Sequence, residues 1–502
     1  MTSLLGIDNG LTVTKAVLFD ADGTVLSVAR RRVPQLMPQP RFVERDMMGL
    51  WTATAKAIRE AIALSGRDAD DIKAVAATAH GDGLYLLDAD KQPLGPGVLS
   101  LDSRAGDIAE AWNKCSIGEQ ALQLTGQMPH ASAPSALIAW IEQHEPERFA
   151  KIAHVLSCKD WLRFCLSGSI GTDRTEASTA FTDVESQDYS RDALKLFGLD
   201  LLWDALPPVA GSAQVIGLVT PDAAAMTGLP EGTPVAAGLH DVTASALGIG
   251  GQQQGTIDIV AGTYSINQIV SDKPERDRRW FCRNAILPNH WNSMAISPAS
   301  TANYDWFLET LCKTEADNAD IHTLLATEID EALARPSSVL FHPYLFGSPH
   351  GPVASAGFTG LRGWHERGDM LRAVLEGIAF NHRDHVDALH DGFPFDQARL
   401  TGGVSRNPSF VQMFADILGM PVTVTQTEEA AAWGTALCAG VACGLYPSPH
   451  DDPRDLASLE HRFEPDEKRS AAYETRYQLW RSIAQSMSAH WPAIDALGDV
   501  RP

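Results

Sequence analysis

Short apolar runs separated by polar, glycine-containing turns open the chain. Residues 4–7 and 13–19 are mostly apolar, and the tripeptide Asp8-Asn9-Gly10 lies between them. Residues 24–33 alternate apolar with polar positions after a second turn at residues 20–23. Apolar runs of this length that are bounded by Asp, Asn and Gly are typical of β-strands joined by tight turns. The opening of the chain therefore predicts three consecutive strands.

From Asp46 the spacing of apolar residues changes to that of a helix. Leu50, Ala57 and Ile58 recur at intervals that place them on one helical face. Residues 73–78 then form another short apolar run of the kind found in buried strands. Strands that alternate with helices predict an α/β architecture.

A second strand–turn–strand pattern begins near Thr256. Residues 256–260 and 264–270 are apolar-rich and flank the turn Ala261-Gly262-Thr263. Because this plan repeats that of the opening strands, we predict an internal duplication with two α/β domains, residues 1–249 and 250–502. The connection falls at residues 248–255, and residues 461–502 are predicted to form a polar, helix-rich tail.

Composition excludes several classes of protein. The 502 residues include 40 Lys and Arg against 63 Asp and Glu, which gives a formal net charge of −23. A chain this acidic disfavours nucleic acid and anionic membranes as partners. The seven cysteines form no CxxC pair, which favours neither a disulfide framework nor a cysteine zinc site. No apolar run is long enough to span a membrane. We therefore expect a reduced, cytoplasmic protein.

The first turn carries groups suited to a phosphate. Gly10 allows close approach of the backbone to a ligand, Thr12 and Thr14 add hydroxyl donors, and Lys15 adds a cation. Asp8, at the end of a predicted strand, could hold Mg²⁺. An ordinary hairpin is the alternative interpretation of this segment.

Two later turns offer similar backbone amides and hydroxyl groups. Gly262 and Thr263 offer amides and a hydroxyl, and Gly402, Gly403 and Asn407 follow a short predicted strand and precede a helix. A glycine-rich loop between a strand and a helix is a common place for a nucleotide. An ordinary strand–helix loop is the alternative for each turn taken alone.

Four further polar residues are candidates for contact with a substrate. Asp241 follows the apolar strand at residues 234–237 and precedes a helix, so it is predicted either to cap that helix or to act as a general base. His80, Asp102 and Arg104 could bind a polyol through charge-assisted hydrogen bonds. A solvated ion pair is the alternative for Asp102 and Arg104.

With these turns in place, the chain resembles the FGGY family of carbohydrate kinases over nearly its full length. The matching stretches, in the family's order, are GIDNGLTVTK, GLHDVTASALG, AGTYS, AGFTGLRGWHERGDMLRAVLEG and TGGVSRNPSFVQMFADILGMPV. The resemblance implies two duplicated actin-like (ribonuclease H-like) domains with a cleft between them that closes on ATP and sugar. It also implies ATP-dependent phosphorylation of a sugar hydroxyl with the help of Mg²⁺.

The resemblance also assigns roles residue by residue. Asp241 matches the catalytic base, and Asp8 would lie near Mg²⁺ and the γ-phosphate. ATP would contact the three turns, and the sugar would contact a separate loop. The residues concerned are Thr12, Thr14, Lys15, Gly262, Thr263, Gly402, Gly403 and Asn407 for ATP, and His80, Asp102, Arg104 and Asp241 for the sugar.

The substrate implied by the resemblance is a pentulose. The stretches HGDGLYLLDADKQPLGPGVLSLDSRA and GLHDVTASALG are most similar to the L-xylulose kinase branch, so L-xylulose or D-xylulose is expected. The stretch Ser-Leu-Asp-Ser-Arg replaces a tryptophan-containing sequence that is more usual in the family, which leaves erythritol, glycerol and other polyols as alternatives. A non-catalytic actin-fold nucleotide-binding protein is the alternative from a different class. Homodimers are common in the family, and we expect one here.

Overall fold

The computed structural model describes residues 2–312, 321–351 and 353–499. Within these residues the strands are β1 (Ser3–Asn9), β2 (Val13–Asp20), β3 (Val25–Arg32), β4 (Glu44–Arg45), β5 (Ile72–Ala79), β6 (Tyr85–Leu87), β7 (Gly97–Val98), β8 (His154–Leu156), β9 (Thr172–Asp173), β10 (Val209–Ala210), β11 (Val215–Leu218), β12 (Pro234–Ala236), β13 (Thr256–Ala261), β14 (Ser265–Ser271), β15 (Phe281–Asn284), β16 (Trp291–Ser297), β17 (Leu340–His342), β18 (Gly357–Thr359), β19 (Gln397–Thr401), β20 (Val422–Thr425) and β21 (Glu460–Phe463).

The α-helices are α1 (Met47–Ser65), α2 (Gly106–Asn113), α3 (Ser116–Thr125), α4 (Pro134–His144), α5 (Pro146–Phe149), α6 (Cys158–Ser167), α7 (Arg174–Ala177), α8 (Arg191–Leu196), α9 (Pro221–Thr227), α10 (Asp241–Gly248), α11 (Ala302–Leu311), α12 (Ile321–Leu333), α13 (Arg367–His390), α14 (Pro408–Leu418), α15 (Ala430–Ala442), α16 (Leu456–Leu459), α17 (Glu467–Met487) and α18 (Trp491–Asp495). Short 3-10 helices occupy Ala69–Asp71, Asp200–Ala205, Gly403–Arg406 and Ala496–Asp499. None of the described helices combines the length and the apolar character that a membrane-spanning segment needs.

The chain divides into two compact units. The first unit consists of Met1–Gln252, Val270–Ser293 and Thr427–Leu459, and the second consists of Gln253–Ile269, Met294–Gln426 and Glu460–Pro502. Each unit contains a β-sheet with helices packed on it, so the α/β class predicted from the alternation of strands and helices is confirmed. The predicted domain bounds, 1–249 and 250–502, stay a prediction.

The sheet of the first unit has the strand order β11-β12-β5-β1-β2-β3. β1 pairs antiparallel with β2 on one side and parallel with β5 on the other. The three predicted opening strands are therefore present and adjacent. The register of the β1–β2 hairpin sets Asp8 directly opposite Lys15, which places two of the predicted site residues side by side.

The sheet of the second unit repeats this pairing. β13 pairs antiparallel with β14 and parallel with β19, and β19 pairs parallel with β20. The edge strand β21 pairs antiparallel with β20. Because β21 covers Glu460–Phe463, the prediction that a helix-rich tail starts at His461 is wrong at its beginning, and the tail's helices α17 and α18 follow that strand.

Both faces of the first sheet are covered by helices, which explains why residues 4–7 of β1 form a continuous apolar run. Leu5 and Ile7 pack with α1, whereas Leu4 packs with α15. The approach of α15 is so close that a Cβ atom added to Gly6 would lie 2.2 Å from the carbonyl oxygen of Ala432. Helix α15, which begins more than 130 residues after the preceding segment of this unit, Val270–Ser293, is therefore an integral part of the first unit.

Candidate active site

A cluster of opposite charges lies at the carboxyl end of β1. Lys15 Nζ lies 3.4 Å from Asp8 Oδ2 and 3.0 Å from Glu429 Oε2, and Arg30 also pairs with Glu429. Burial raises the pKa of Asp8 above its usual value, although the charge of Lys15 acts in the opposite direction. Two predicted site residues are thus in direct contact. Sequence reasoning missed Glu429 because its partner Lys15 is 414 residues away along the chain.

The two predicted threonines of this turn point to different places. The Thr14 hydroxyl is buried and lies 3.1 Å from the hydroxyl of Thr54 on α1. Thr12 is exposed in the turn, which a backbone hydrogen bond from Gly10 to Val13 closes. Of the hydroxyls predicted to meet a phosphate, only that of Thr12 is therefore open to a ligand in the described first unit.

Asp241 is the first residue of α10, and His240 occupies the N-cap position. The prediction that Asp241 caps this helix is therefore wrong. Its carboxylate accepts a hydrogen bond of 2.7 Å from the backbone nitrogen of the next residue, Val242. Burial, followed by the negative charge of Asp8, raises the pKa of Asp241 to about 7. A carboxyl group that titrates near neutral pH is well matched to accept a proton from a hydroxyl.

The loop after β5 lies against this carboxylate. The backbone of Gly81 hydrogen-bonds to Asp241, and the ring of His240 packs so tightly on Gly81 that an added Cβ would lie 1.8 Å from His240 Nε2. His80 is buried, with its Nε2 3.3 Å from the hydroxyl of Tyr85. Burial and the charge of Arg45 lower the pKa of His80 to about 3, so its ring is neutral. The structure thus brings the His80 loop and Asp241 together.

An arginine that sequence reasoning missed completes this region. Arg283 on β15 is buried and donates a 2.8 Å hydrogen bond from Nη2 to Asp82. Although burial acts to raise it, the charge of Arg283 holds the pKa of Asp82 well below its usual value. A charged residue inside the strand-like run WFCRNAI was the available signal, because arginine is seldom buried without a partner.

Asp102 and Arg104 form a closed pair. Asp102 accepts hydrogen bonds from Arg104 Nε at 2.9 Å, from Arg104 Nη2 at 2.7 Å and from the backbone nitrogen of Val43 at 2.7 Å. Arg104 also donates to Glu44 at 2.7 Å, and its guanidinium lies 3.8 Å from the centre of the Phe42 ring. The pair is buried and is not the solvated surface pair considered as an alternative. Arg104 Nη1 is buried without a hydrogen-bond partner among the described residues, which leaves it as the group able to meet a ligand.

In the second unit, two of the predicted glycine turns meet. Gly402 has φ of 113°, and a Cβ atom there would lie 2.2 Å from the carbonyl oxygen of Ala261. The loop after β19 therefore lies beside Gly262 and the exposed Thr263. This juxtaposition produces a surface of backbone amides and a hydroxyl, with the exposed Arg406 further along the same loop.

The other two residues of the loop after β19 differ in their surroundings. Asn407 is the N-cap of α14 and accepts a 3.0 Å hydrogen bond from the backbone nitrogen of Ser409. No atom lies within 4 Å of the Cβ position of Gly403, so this glycine borders open space. The structure therefore gives Asn407 a helix-capping contact and leaves Gly403 accessible.

Asp8 suits a Mg²⁺ site in which most of the ligands come from water and from the substrate. Among the described residues no three His, Cys, Asp or Glu side chains come close enough to hold a metal ion by themselves. Mg²⁺ ordinarily needs one or two carboxylates and takes its remaining ligands from water and from substrate phosphates. The half-buried carboxylate of Asp8 fits that requirement.

Comparison with known proteins gives two family matches. The model described as "FGGY family of carbohydrate kinases, N-terminal domain" matches residues 3–248, and the corresponding C-terminal domain matches residues 257–443. The chain is 32% identical to the L-xylulose/3-keto-L-gulonate kinase of Escherichia coli K12, over 96% of this chain and 97% of that protein. It is 28% identical to the erythritol kinase of Brucella abortus, over 98% of this chain and 97% of that protein.

A solved structure agrees with these matches. The xylulose kinase of Rhodospirillum rubrum superimposes with a TM-score of 0.85 at 28% identity, over 97% of this chain and 99% of that chain. Both the sequence and the folded chain are therefore similar to sugar kinases from end to end.

Proposed function

Because the chain belongs to the FGGY family of carbohydrate kinases, which are ATP-dependent sugar phosphotransferases, we propose that it phosphorylates a pentulose such as L-xylulose or D-xylulose. The substrate class is supported by the relative named L-xylulose/3-keto-L-gulonate kinase and by the structural similarity to a xylulose kinase.

The observation that carries the mechanism is the environment of Asp241. We propose that this carboxylate accepts the proton of the sugar hydroxyl, whose oxygen then attacks the γ-phosphorus of ATP. The bond between that phosphorus and the bridging oxygen breaks in the same step, and ADP leaves. The pKa of about 7 supports this role, since a base works best when its pKa is near the working pH. Its position beside the His80 loop also supports contact with the sugar.

The nucleotide is proposed to use both glycine-containing surfaces. In the first unit, Thr12 and Lys15 would meet the phosphates, and Asp8 would hold Mg²⁺, which offsets phosphate charge during transfer. Thr14 was also proposed for this loop, but its hydroxyl is engaged with Thr54. In the second unit, Gly262, Thr263, Gly402, Gly403 and Asn407 are proposed to contact ATP. Phosphoryl transfer depends mainly on such positioning and charge stabilisation.

The sugar is proposed to be bound in the first unit. His80 presents a neutral ring, and Arg104 presents the Nη1 donors that have no other partner among the described residues. Asp102 would then act by fixing the guanidinium of Arg104, since its oxygens are already engaged by that side chain and by Val43.

A second candidate is a polyol kinase of the same family. The relative named erythritol kinase, which covers nearly the full chain, favours this alternative and extends it to glycerol and related polyols. Sugars and polyols of similar size differ in the direction of a few hydroxyls, and discrimination between them depends on the exact placement of polar side chains.

The test is ADP release in the presence of Mg-ATP with a panel of compounds. The panel contains L-xylulose, D-xylulose, 3-keto-L-gulonate, erythritol, glycerol, hexuloses and aldonates. We expect the highest kcat/KM with L-xylulose or D-xylulose. A clear preference for erythritol or glycerol would replace the first proposal by the second, and no release with any compound would contradict both.

A cytoplasmic location and a homodimer stay predictions, the latter to be checked by light scattering.

A further inference from the structure

The guanidinium of Arg283 is held on three sides in the first unit. Its side chain is 1% exposed and donates from Nη2 to Asp82 at 2.8 Å, from Nε to Gln127 Oε1 at 3.1 Å and from Nη1 to His240 Nε2 at 3.4 Å. Gln127 is fixed in turn by its own hydrogen bond to the backbone oxygen of Ser178. With every edge of the guanidinium engaged, Arg283 has a single orientation.

This orientation determines where the proton of His240 resides. A guanidinium has only donors and cannot be deprotonated in a protein. His240 Nε2 must therefore accept from Arg283, and a neutral imidazole then carries its proton on Nδ1. Nδ1 is buried, lies 3.4 Å from Asp241 Oδ1 and has no hydrogen-bond partner among the described residues, so its proton is free to be donated to that carboxylate once the two groups align.

The His240 ring is locked in place by its neighbours. Its backbone nitrogen donates to Thr175 Oγ1 at 2.9 Å, and Gly81 lies directly against the ring. The geometry thus links Arg283 to Asp241 through one fixed imidazole.

We propose that Arg283 is a positioning residue for the reaction, which holds His240 as the Nδ1-protonated tautomer so that this nitrogen donates toward the Asp241 carboxylate. The inference about the reaction rests on the proposed function of Asp241 as the base, whereas the tautomer itself does not. Such a hydrogen bond, once formed, would favour the ionised carboxylate over its protonated form. It would also fix the carboxylate's orientation toward a substrate hydroxyl.

The charges around His240 agree with a neutral ring. Arg283 and Lys159 lower its pKa, and Asp82 and Asp173 raise it, while Asp241 lies on the Nδ1 side. Burial, followed by the charge of Arg283, lowers the pKa of His240 to about 4. At the pH of an ordinary kinase assay the ring therefore carries one proton, and the hydrogen bond from Arg283 decides which nitrogen holds it.

The direct test is ¹⁵N NMR of the histidine side chains in the full-length enzyme. The His240 signals are assigned by their loss in His240→Gln. We expect the shift of a protonated Nδ1 and of an unprotonated Nε2 in the wild type. Arg283→Met is expected to move the proton to Nε2, whereas Arg279→Met, which removes an arginine paired with Asp277 at the surface, leaves the spectrum unchanged. A protonated Nε2 in the wild type would overturn the proposal.

The second test is the pH profile of kcat/KM for the sugar. In Arg283→Met we expect the acidic limb to move up by about one pH unit and kcat to fall about 10- to 100-fold. His240→Asn, whose amide nitrogen can replace Nδ1, is expected to keep the wild-type limb, and His240→Leu is expected to shift it. An unshifted limb in Arg283→Met and His240→Leu would exclude the positioning role even if turnover fell.

These outcomes separate this inference from the proposed function. Full activity of Asp241→Asn would remove the base assignment, and with it the proposed effect on the reaction, but the predicted tautomer would stand. A protonated Nε2 in the wild type, combined with an inactive Asp241→Asn, would remove the role of Arg283 and leave the base assignment intact. Should Arg283→Met fail to fold, the wild-type spectrum alone decides between the tautomers.

Discussion

The two sheets have the same strand pairing but different chemistry at corresponding turns. The turn between β1 and β2 brings Asp8 and Lys15 together, with Glu429 beside them. The turn between β13 and β14 holds Gly262 and Thr263, which carry no charge. Apolar patterning along the strands therefore determines the architecture of each unit, whereas the few residues in the turns determine what each unit can bind.

The residues that support the two turns differ in the same way. Behind the second turn, Asn267 donates to His385 Nδ1 at 2.9 Å, and His382 Nδ1 lies 2.9 Å from Asn267 Oδ1. Burial lowers the pKa of His385 to about 4, so this network is neutral at physiological pH. The first unit thus has charged groups at its turn, whereas Asn267, His382 and His385 form a neutral network behind the corresponding turn of the second unit.

The strongest test of this division is a pair of substitutions, one in each unit. Asp241→Asn should lower kcat by a factor on the order of 10³, because the base is lost, while ATP binding changes little. Thr263→Ala in the second unit should raise KM for ATP several-fold and leave kcat nearly unchanged. Steady-state kinetics with both substrates varied would measure the two effects. Near-normal turnover in Asp241→Asn would contradict the assignment of Asp241 as the base.

Folding of Asp241→Asn provides the control for that test. The folded-state pKa of about 7 lies above the ordinary value of 3.8, so ionisation of Asp241 opposes folding. The wild type should therefore lose stability relative to the variant as the pH rises from about 4 to about 7, by about 1.4 kcal/mol for each pH unit, and change little above pH 7. Thermal unfolding of both proteins at pH 5 and pH 9 would show this difference. If the variant were less stable than the wild type at pH 9, its inactivity would be explained by impaired folding.

A second contrast concerns backbone packing of the loop after β19 in the second unit. Gly402→Ala should destabilise the protein by roughly 1–3 kcal/mol, because its positive φ strains an alanine and the new Cβ meets the Ala261 carbonyl. Gly403→Ala is the matched control, since open space surrounds its Cβ position. Thermal unfolding should show a lower midpoint for the first variant and an unchanged midpoint for the second. Equal midpoints would contradict the close approach of the two loops.

The pH dependence should divide between the units as their chemistry does. Because Asp241 must be ionised to accept a proton, kcat/KM for the sugar should fall about tenfold for each pH unit below about 7. The contribution of the second unit to KM for ATP should stay constant between pH 5 and 8. Burial lowers the pKa of His385 to about 4, so the charge of this unit's histidine network does not change in that range. A flat sugar profile down to pH 5 would exclude a base with the pKa of Asp241.

A modest effect is expected at Lys15. Lys15→Met should raise KM for ATP about tenfold, in line with the loss of one hydrogen bond to a charged group. Lys73→Met is the control, because Lys73 is an exposed lysine on β5, the parallel neighbour of β1. Equal KM values for ATP in both variants would show that Lys15 pairs with Asp8 and Glu429 but does not contribute to ATP binding.

Most of the architecture could be predicted from local pattern. The three opening strands, the strand at residues 73–78 and the repeat of strand–turn–strand near Thr256 are all present, because each buries an alternating or continuous apolar run. The start of the predicted helical tail was wrong because residues 460–463 form an exposed edge strand, which shows little apolar periodicity.

The candidate site was only partly predictable. Asp8 and Lys15 lie in the two strands that flank the first turn, and Asp241 opens the helix after β12, so their positions could be predicted from local pattern. Glu429 and Arg283 could not be found in this way, since their partners Lys15 and Asp82 lie far away along the chain. Nor could the sequence reveal that the Thr14 hydroxyl turns toward Thr54, because that depends on the packing of α1.

The packing of α15 on β1 has a consequence for how the protein is made. The ribosome adds about 5–20 residues per second, so roughly 10 to 40 s separate the synthesis of Gln252 from that of the end of α15. During this interval Leu4, Phe19 and Ala76 lack the helix that covers them in the finished core. One apolar face of the sheet in the nascent first unit is therefore exposed until α15 has been synthesised. Folding of this unit is completed only when nearly the whole chain has emerged.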